Sequence, residues 1–365
     1  MRRLTVLSVS YPLAPVGPDV VGGSEQVLSA LDRAIVAAGH RSIVVACEGS
    51  RVAGELLSYP APPTDRPIDD EVGLARQQWI RERMAEAMAR ERIDVIHMHG
   101  LDFYSYIPEP GPPLLVTLHL PPSWYPPEAL APSRPDTWVH CVSDQQAATM
   151  PDTSRMLPPI PNGVPVDVLG RLHLRKCSYA LMLARVCPEK GLHLALDAAH
   201  AAQARLLIAG EVFPYPTHQD YFRTEVVPRL DGHRRYIGPV GFARKRRLLA
   251  AARCLLVPSQ VAETSSLVAM EAASCGTPVV AFRTGALPGV VEDGRTGFLV
   301  DDVAGMAAAL RQVDTLDPEA CRAVARHRFT HERMAAQYLA RYEDLANGTA
   351  LGAALGAAEG ARAAA

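Results

Sequence analysis

Glu263 and Glu271 are two carboxylates whose spacing gives the first sign of chemistry in the sequence. They bracket a stretch that we predict to form the first two turns of a helix, between buried strands at 254–258 and 278–282. Eight residues of helix rise about 12 Å, so the two carboxylates cannot bind the same atom. They could contact the two ends of one elongated ligand at a sheet edge, and the alternative is a pair of solvated helix carboxylates.

Arg185 and Lys190 lie five positions apart, just after a predicted buried strand at 179–184. A guanidinium can bind two oxygens at once and an ammonium adds a point charge, so this pair suits a diphosphate. The alternative is two exposed loop cations.

Gly22 and Gly23 enter the first predicted helix directly after the first predicted strand. Glycine lets the backbone approach a ligand closely, and the free N–H groups at a helix start favour an anion. The alternative is an ordinary strand–helix turn capped by Ser24. The sequence contains neither a G-x-G-x-x-G nor a Walker A pattern, so dinucleotide and P-loop sites lack their fingerprints.

His119 ends an apolar strand predicted at 114–119, where it could hydrogen-bond a ligand hydroxyl or phosphate. The alternative is a core histidine with its hydrogen bonds satisfied. For His97 and His99 we predict opposite faces of a strand, one packed and one near the ligand, and hence a poor metal pair. With no D-x-D and no H-E-x-x-H, the sequence predicts no metal site.

Two further groups of residues stay ambiguous. The basic run at 244–247 is predicted to be a solvated helix face rather than a contact for a membrane or a phosphate. Four aromatic residues in loops of the first half could stack on a ligand or pack the domain, and these are Tyr104, Tyr106, Trp124 and Tyr125.

Short apolar runs alternate with helical patterns along the chain, which predicts parallel sheets covered by helices on both faces. The first half has predicted strands at 4–10, 42–47, 94–99, 114–119 and 138–143 and helices near 24–38 and 74–90. The second half has predicted strands at 179–184, 204–209, 235–237, 254–258, 278–282 and 297–300, with helices near 192–202, 244–252, 264–274 and 303–312. A proline-rich connection at 157–167 implies two domains with a cleft between them, and a helix at 331–345 should close the chain.

The composition sets the broad class of protein. With 365 residues, 48% of them hydrophobic and 21% charged, the chain has the size and makeup of about two globular domains. The net charge of −2 disfavours nucleic acid as a partner. Seven scattered cysteines without a C-x-x-C pair predict reduced thiols in a cytoplasmic protein. The first apolar run is predicted to be a strand rather than a signal peptide, and weak peripheral contact with a membrane stays open.

Together these motifs, in this order, resemble the family-4 retaining glycosyltransferases, over roughly residues 1–345. The resemblance implies the GT-B fold, two Rossmann-like parallel-sheet domains facing across a cleft. It implies an acceptor domain at 1–163, a donor domain at 164–330 and a helix at 331–346 crossing back to the first domain. The Ala/Gly-rich composition of residues 347–365 predicts a flexible tail. The motifs that carry it are Gly22-Gly23, Thr117-Leu118-His119, the I-P-N-G-V run at 160–164, Arg185 with Lys190, Glu263 with Glu271, and the C-G-T-P-V-V run at 275–280.

The resemblance further implies a hexosyl group moved from a nucleotide-diphosphate sugar to a hydroxyl of a small-molecule, glycan or lipid-linked acceptor. No metal and no other cofactor is expected. Catalytic roles would fall to His119 beside the reacting centre, Glu263 facing the donor sugar, and Arg185 and Lys190 on the diphosphate. Donor binding would involve Gly22, Gly23, Arg185, Lys190, Ser265, Ser266, Leu267 and, at the ribose hydroxyls, Glu271.

Two other functions remain open at this point: a sugar-nucleotide epimerase of the same fold, and a non-catalytic nucleotide-sugar-binding or scaffold protein. The sequence also departs from the family pattern. Thr264-Ser265-Ser266 replaces a glycine-bearing turn, Gly289 replaces an acidic residue, and a longer loop opens at Glu211. We therefore expect the donor preference of this protein to depend on the step from Ser265 to Ser266.

Overall fold

The computed structural model describes residues 2–20, 22–63, 69–151 and 155–349. The chain divides into two compact units: Met1–Asn162 with Glu332–Ala365, and Gly163–His331. Each unit contains one parallel β-sheet, which confirms the predicted pair of α/β domains.

The first unit is built on a seven-stranded sheet with the strand order β3-β2-β1-β4-β5-β6-β7. The paired strands in the described part of this sheet are parallel, and the central strands β4 and β5 are buried along their whole length. Parallel strands need helical crossovers that cover both faces of the sheet. The strands are β1 Thr5–Val9, β2 Arg41–Cys47, β3 Glu55–Tyr59, β4 Val95–Met98, β5 Leu114–Leu118, β6 Thr137–Cys141 and β7 Met156–Leu157, and the helices are α1 Gly23–Ala37, α2 Asp70–Arg90, α3 Pro127–Leu130 and α4 Asp144–Ala147.

The second unit is built on a six-stranded parallel sheet with the strand order β10-β9-β8-β11-β12-β13. Its helices pack two buried apolar clusters against the two faces of the sheet. The strands are β8 Tyr179–Leu183, β9 Arg205–Ala209, β10 Arg234–Tyr236, β11 Cys254–Val257, β12 Val279–Phe282 and β13 Gly297–Val300, and the helices are α5 Val166–Gly170, α6 Leu192–Ala201, α7 Pro216–Tyr221, α8 Phe242–Ala251, α9 Leu267–Ser274, α10 Leu287–Val290, α11 Val303–Gln312 and α12 Pro318–Arg328.

The last helix, α13 (His331–Ala346), belongs to the first unit from Glu332 onward. Its inward face carries Tyr338 and Tyr342, whose side chains are fully buried. Two large aromatic side chains with hydroxyl groups at such depth need hydrogen-bond partners inside the unit. The predicted tail beyond it lies, from residue 350 onward, outside the described residues.

The largest differences from the predicted elements are at edges and helix starts. The sheet-edge strands β3 and β7 were not predicted, because a five-residue run with one exposed serine and a two-residue run carry little periodic signal. Helix α9 begins at Leu267 and not at residue 264, so Glu263 lies in a loop. Among the described residues, no helix combines the length and apolarity that crossing a membrane requires.

Candidate active site

Lys190 and Glu263 meet at the carboxyl ends of β8 and β11 in the second unit. The Lys190 ammonium donates to Glu263 Oε1 at 2.7 Å, and the two side chains are 26% and 11% exposed. The two residues are 73 positions apart in sequence, and the fold alone brings them together. The structure thus places a cation and a carboxylate side by side, where the sequence predicted a diphosphate contact and a sugar contact.

Two glycines make this meeting possible. Gly191 has φ +66°, a backbone conformation that favours glycine. A Cβ at this position would lie 2.2 Å from the carbonyl oxygen of Pro258, so only glycine lets the loop after β8 come this close to the loop after β11. The backbone N–H of Gln260 donates to the Glu189 carbonyl at 2.8 Å and ties the two loops together. Gly285, with φ +51°, approaches the backbone of Glu263 in the same way.

Arg185 follows β8 directly and its side chain is exposed. Within the described part of the chain, its guanidinium makes no ion pair and no side-chain hydrogen bond. The backbone next to Arg185 is fixed, since the Val186 N–H donates to the Glu211 carbonyl at 2.9 Å. An exposed guanidinium on a fixed backbone is well suited to bind an anion that arrives from solvent.

Glu271 is 3% exposed on α9 and pairs with Lys245 of α8, whose ammonium lies 2.5 Å from Glu271 Oε1. Sequence reasoning missed Lys245, because it was treated as part of a solvated basic run. That prediction is wrong for two of the four residues: Lys245 points to Glu271, and Arg246 donates to the Val168 carbonyl. The helical periodicity of the run carried the signal, since positions 245 and 246 fall on a different face from 244 and 247.

The start of α9 contains Ser265, Ser266 and Leu267. Ser266 is the N-cap residue and its carbonyl accepts from the N–H groups of Ala269 and Met270 at 3.1 Å. The Ser265 hydroxyl is buried, and among the described residues no partner for it was found. An enclosed hydroxyl beside a helix start could hydrogen-bond a ligand.

Gly22 and Gly23 begin α1 in the first unit, as predicted, and the N-cap is Gly22 rather than Ser24. Glu25, 4% exposed, folds its carboxylate over this helix start: a Cβ on Gly22 would lie 1.8 Å from Glu25 Oε2. The Ser24 hydroxyl donates to the same oxygen at 3.0 Å. A carboxylate therefore already occupies part of the space predicted for a phosphate, and it complements the partial positive charge of the helix start.

His119 follows β5 in the first unit and is half-buried. Its Nε2 lies 3.1 Å from His99 Nδ1, and the His99 Nε2 lies 3.1 Å from His97 Nδ1. The prediction of opposite faces for His97 and His99 is wrong, because residues two apart on a strand share a face. Burial lowers the pKa of His119 to about 4, so this imidazole is neutral at pH 7.

The four ambiguous aromatic residues separate clearly. Tyr106 and Tyr125 are buried, whereas Tyr104 and Trp124 are 38% and 52% exposed. The two exposed rings, together with Asp102, line a depression of about 250 Å³ beyond the carboxyl ends of β1, β4 and β5. Exposed aromatic faces beside a carboxylate are suited to bind a sugar or another polyol.

Cys187, Glu189 and His218 are the one set of described residues whose side-chain atoms could share a metal ion, with all three ligand atoms within 4.8 Å. Burial, and then the hydrogen bond to Glu189, raise the pKa of the Cys187 thiol to about 11. This pKa is that of the thiol without a metal, and a metal that bound there would displace the thiol proton.

Two parallel-sheet units with polar residues gathered at the strand ends define the GT-B class of fold, and the comparisons with known proteins agree. The family model "Glycosyltransferase Family 4" matches residues 21–168, and the model "Glycosyl transferases group 1" matches residues 178–314. The chain belongs to the glycosyltransferases of family 4.

Curated relatives match parts of the chain. A phosphatidyl-myo-inositol mannosyltransferase of Mycolicibacterium smegmatis is 34% identical over 207 residues, which cover 51% of this chain and 52% of that protein. A D-inositol 3-phosphate glycosyltransferase of Streptomyces avermitilis is 44% identical over 98 residues, covering 26% of this chain and 21% of that protein. The matches thus span about half the length of the first relative and a fifth of the second.

Solved structures show the same fold over nearly the whole chain. AviGT4, a glycosyltransferase involved in avilamycin A biosynthesis, aligns with a TM-score of 0.70 and 24% identity, covering 94% of this chain and 98% of that one. HepE of Anabaena, in complex with UDP-glucose, aligns with a TM-score of 0.71 and 17% identity, covering 94% of this chain and all of that one, 100%. At these identities the likeness concerns the fold.

Proposed function

We propose that the protein is a retaining glycosyltransferase that moves a hexosyl group from a nucleotide-diphosphate sugar to an acceptor hydroxyl. The observation that carries this proposal is the meeting of Lys190 with Glu263, 2.7 Å apart, with the exposed Arg185 in the same loop as Lys190. Family membership supports the class of reaction, and neighbours such as HepE, whose structure contains UDP-glucose, support the kind of donor.

The diphosphate of the donor would bind to Arg185 and Lys190. Because Lys190 already donates to Glu263, an incoming diphosphate would share the ammonium with that carboxylate, while Arg185 would bind two oxygens. The backbone N–H groups at Ser266 and Leu267, with the Ser265 hydroxyl, would add neutral donors at the start of α9. As the bond to the sugar breaks, these groups stabilise the charge that develops on the leaving diphosphate.

The two carboxylates have separate roles in this proposal. Glu263 contacts the hydroxyls of the donor sugar, and its ion pair with Lys190 keeps it oriented. Glu271 accepts hydrogen bonds from the ribose hydroxyls, and Lys245 holds it in place at 2.5 Å. Gly22 and Gly23 would contact the donor through backbone N–H groups at the start of α1, once the Glu25 carboxylate gives way.

The proposed chemistry requires no metal and no cofactor, because the two cations and the amide groups supply the positive charge that the leaving diphosphate needs. Activity that persists in excess chelator would support this part. Retention of the anomeric configuration is proposed from the family resemblance, and the configuration of the product tests it.

For the acceptor we propose the depression lined by Tyr104, Trp124 and Asp102, with His119 accepting a hydrogen bond from a hydroxyl near the reacting centre. An aromatic and carboxylate surface suits a small polyol, a glycan or the sugar end of a lipid-linked acceptor. All seven cysteines are free thiols, which supports a cytoplasmic location.

Two alternatives lead to different products. An epimerase of this fold would release an altered nucleotide-sugar and no glycoside, and the relatives do not favour it. A non-catalytic binding protein would bind the donor without turnover. Product analysis separates all three.

A thermal-shift screen with UDP-, GDP- and ADP-sugars tests donor binding directly. A ligand present at 100 times its Kd stabilises the folded state by about 2.7 kcal/mol, so one nucleotide class should raise the melting temperature clearly. The matched control is Arg253→Ala, which removes the cation of another 2.7 Å ion pair in the same unit. The proposal fails at this step if no nucleotide-sugar shifts the melting temperature, or if Lys190→Ala responds as strongly as Arg253→Ala.

A further inference from the structure

A continuous run of hydrogen-bonded side chains crosses the first unit behind His119. It passes through His99, His97 and Thr117 to His140, and we call these five residues the histidine chain. They lie on three adjacent strands, β4, β5 and β6, or directly after them, and all but His119 are fully buried or nearly so. Burying so many polar groups in one row lowers the stability of the folded state unless every donor meets an acceptor.

The far end of the chain fixes its direction. His140 Nδ1 lies 3.0 Å from the backbone carbonyl oxygen of Cys141, which can only accept, so the proton of His140 is on Nδ1. Burial lowers the pKa of His140 to about 3, so its Nε2 is bare at neutral pH. Thr117 Oγ1 lies 2.7 Å from that nitrogen and therefore donates its single proton to it.

Each remaining link follows from the one before. Thr117 must accept from His97 Nε2, 2.8 Å away, which places the His97 proton on Nε2 and leaves its Nδ1 bare. The same reasoning puts the His99 proton on Nε2, facing His97 Nδ1 at 3.1 Å, and the His119 proton on Nε2, facing His99 Nδ1 at 3.1 Å. In the opposite arrangement, two lone pairs would face each other at one or more links.

Two tyrosines of α13 complete the network. Tyr342 OH lies 2.7 Å from His97 Nδ1, and Tyr338 OH lies 3.2 Å from Thr117 Oγ1. Since both target atoms act as acceptors, both phenols donate. The Tyr342 hydroxyl shares His97 Nδ1 with the His99 Nε2–H group, and the direction of the chain is kept. Burial lowers the pKa of His97 and of His99 well below the usual range, so all members stay neutral.

We propose that the histidine chain sets the tautomer of His119, holding its proton on Nε2 and leaving Nδ1 as the ring nitrogen that accepts hydrogen bonds. His99, His97, Thr117 and His140 are then positioning residues that act through one another, as a carboxylate orients a catalytic histidine in other enzymes. The role of Nδ1 toward a substrate rests on the proposed function, whereas the tautomer itself does not.

Nitrogen NMR on the full chain with ¹⁵N-labelled histidine tests the proposal, because protonated and bare ring nitrogens resonate far apart. The His119→Asn variant assigns the His119 signals by their loss. At neutral pH we expect His119, His99 and His97 as Nε2–H tautomers and His140 as the Nδ1–H tautomer. An Nδ1–H or doubly protonated His119 overturns the proposal.

Thr117→Val, with Thr117→Ser as its matched control, tests whether the chain transmits direction. The valine removes both the acceptor of His97 and the donor to His140, so His97, His99 and His119 should become mixtures of tautomers, and the serine should restore single ones. If the folded valine variant keeps the wild-type tautomers, the histidine chain does not set the tautomer of His119 and the proposal is wrong.

If Thr117→Val does not fold, Tyr342→Phe serves instead. It removes the competing donor at His97 Nδ1, so the signals of the His99 Nε2–H group should shift toward a stronger hydrogen bond while the His119 tautomer is kept. An unchanged His99 signal contradicts the proposal.

Kinetics separate this proposal from the proposed function. If glycosyl transfer is established, Thr117→Val should lower kcat at least about tenfold, the rate equivalent of one lost hydrogen bond, with little change in KM. Thr117→Ser should restore kcat. Should no transfer be found with any substrate, the tautomers measured by NMR still decide the structural claim.

Discussion

The two units of this chain place polar side chains at the same position, the carboxyl ends of parallel strands, but use them in opposite electrostatic states. The second unit has the charged pair Lys190 with Glu263 there, and a second pair, Lys245 with Glu271, on the helices α8 and α9. The first unit has neutral, buried imidazoles, and burial lowers the pKa of each. A charged edge is suited to bind an anion, and a neutral one to orient a hydroxyl without repelling or attracting charge.

The comparison also shows how each edge keeps its geometry. In the second unit, close approaches at Gly191 and Gly285 bring two loops together and ion pairs fix the side chains. In the first unit the network is fixed by hydrogen bonds, and Tyr338 and Tyr342 of the last helix are part of it. Changes in the second unit should therefore alter donor binding and rate, whereas changes in the first unit should alter tautomers and acid stability, and the rate through them.

The largest effect is expected for Lys190→Ala. Loss of this cation should lower the rate of nucleoside-diphosphate release from the donor by about 10² to 10³, the usual cost of removing one group that stabilises developing charge. The measurement is a coupled assay for the diphosphate. Arg253→Ala, which breaks an ion pair of the same length in the same unit, should keep nearly full activity. Equal activity of the two variants would remove the charged edge from the mechanism.

Acid stability tests the neutral edge. The pKa of His119 is about 4 in the folded protein and 6.5 in its unperturbed state, so the unfolded chain binds more protons between these values. The free energy of unfolding therefore falls as the pH drops through this window and does not change with pH above it. For His119 alone the loss is about 3 kcal/mol at pH 4.

Urea unfolding between pH 7.5 and pH 4 measures this dependence. His119→Asn should make it shallower, whereas Trp124→Ala, a neighbouring change without a titrating group, should leave its slope unaltered. Identical pH dependence for wild type and His119→Asn would mean that the imidazole is not held neutral by burial.

Glu271→Ala tests how much the buried ion pair of the second unit contributes to stability. It leaves the Lys245 ammonium, with 18% of its side chain exposed, without its carboxylate. The free energy of unfolding should fall by about 2 kcal/mol, and the double variant with Lys245→Ala should recover part of that loss. Asp314→Ala, which breaks a pair whose acid is 69% exposed, should cost less than about 1 kcal/mol. A recovery of zero in the double variant would show that the two residues are not coupled.

The sequence alone was sufficient for the two parallel sheets, because their buried strands are continuous apolar runs separated by helical periodicity. It also indicated Arg185, Lys190, Glu263 and Glu271 by type and spacing. It could not show that Lys190 pairs with Glu263 or that Lys245 supports Glu271, since these contacts depend on how loops far apart in sequence meet.

The histidine chain was missed for a related reason. His97, Thr117 and His140 come from three strands, and only the strand register places them in a row: Thr117 is paired with His140, and His97 with Leu115. Register between parallel strands leaves little trace in a single sequence. Placing His97 and His99 on one face, as strand geometry requires, was the one signal that could have found the chain.

Trp124→Ala tests the acceptor side with a smaller effect. Loss of one stacked ring should raise the KM for the acceptor by up to about tenfold, because such contacts contribute about 0.5–1.5 kcal/mol. The thermal shift with the donor should stay the same. If donor binding changes and the KM for the acceptor does not, the depression binds the donor and the proposed acceptor site is wrong.

The smallest effect is expected for Ser265→Ala. Its hydroxyl is buried and has no hydrogen-bond partner among the described residues, so its removal should leave the free energy of unfolding unchanged or raise it by up to about 1 kcal/mol. Donor affinity should fall by several-fold, about the effect of one hydrogen bond. Calorimetric titration of the donor measures this, and an unaltered affinity would exclude Ser265 from the donor site.

Product analysis tests the central claim most directly. The protein is incubated with the nucleotide-sugar that stabilises it most and with a panel of polyol and glycan acceptors, and the products are resolved by mass and by the NMR coupling at the anomeric carbon. We predict one glycoside formed per nucleoside diphosphate released, with the anomeric configuration of the donor. An epimerised nucleotide-sugar without glycoside, a product of inverted configuration, or donor binding without turnover would each contradict it.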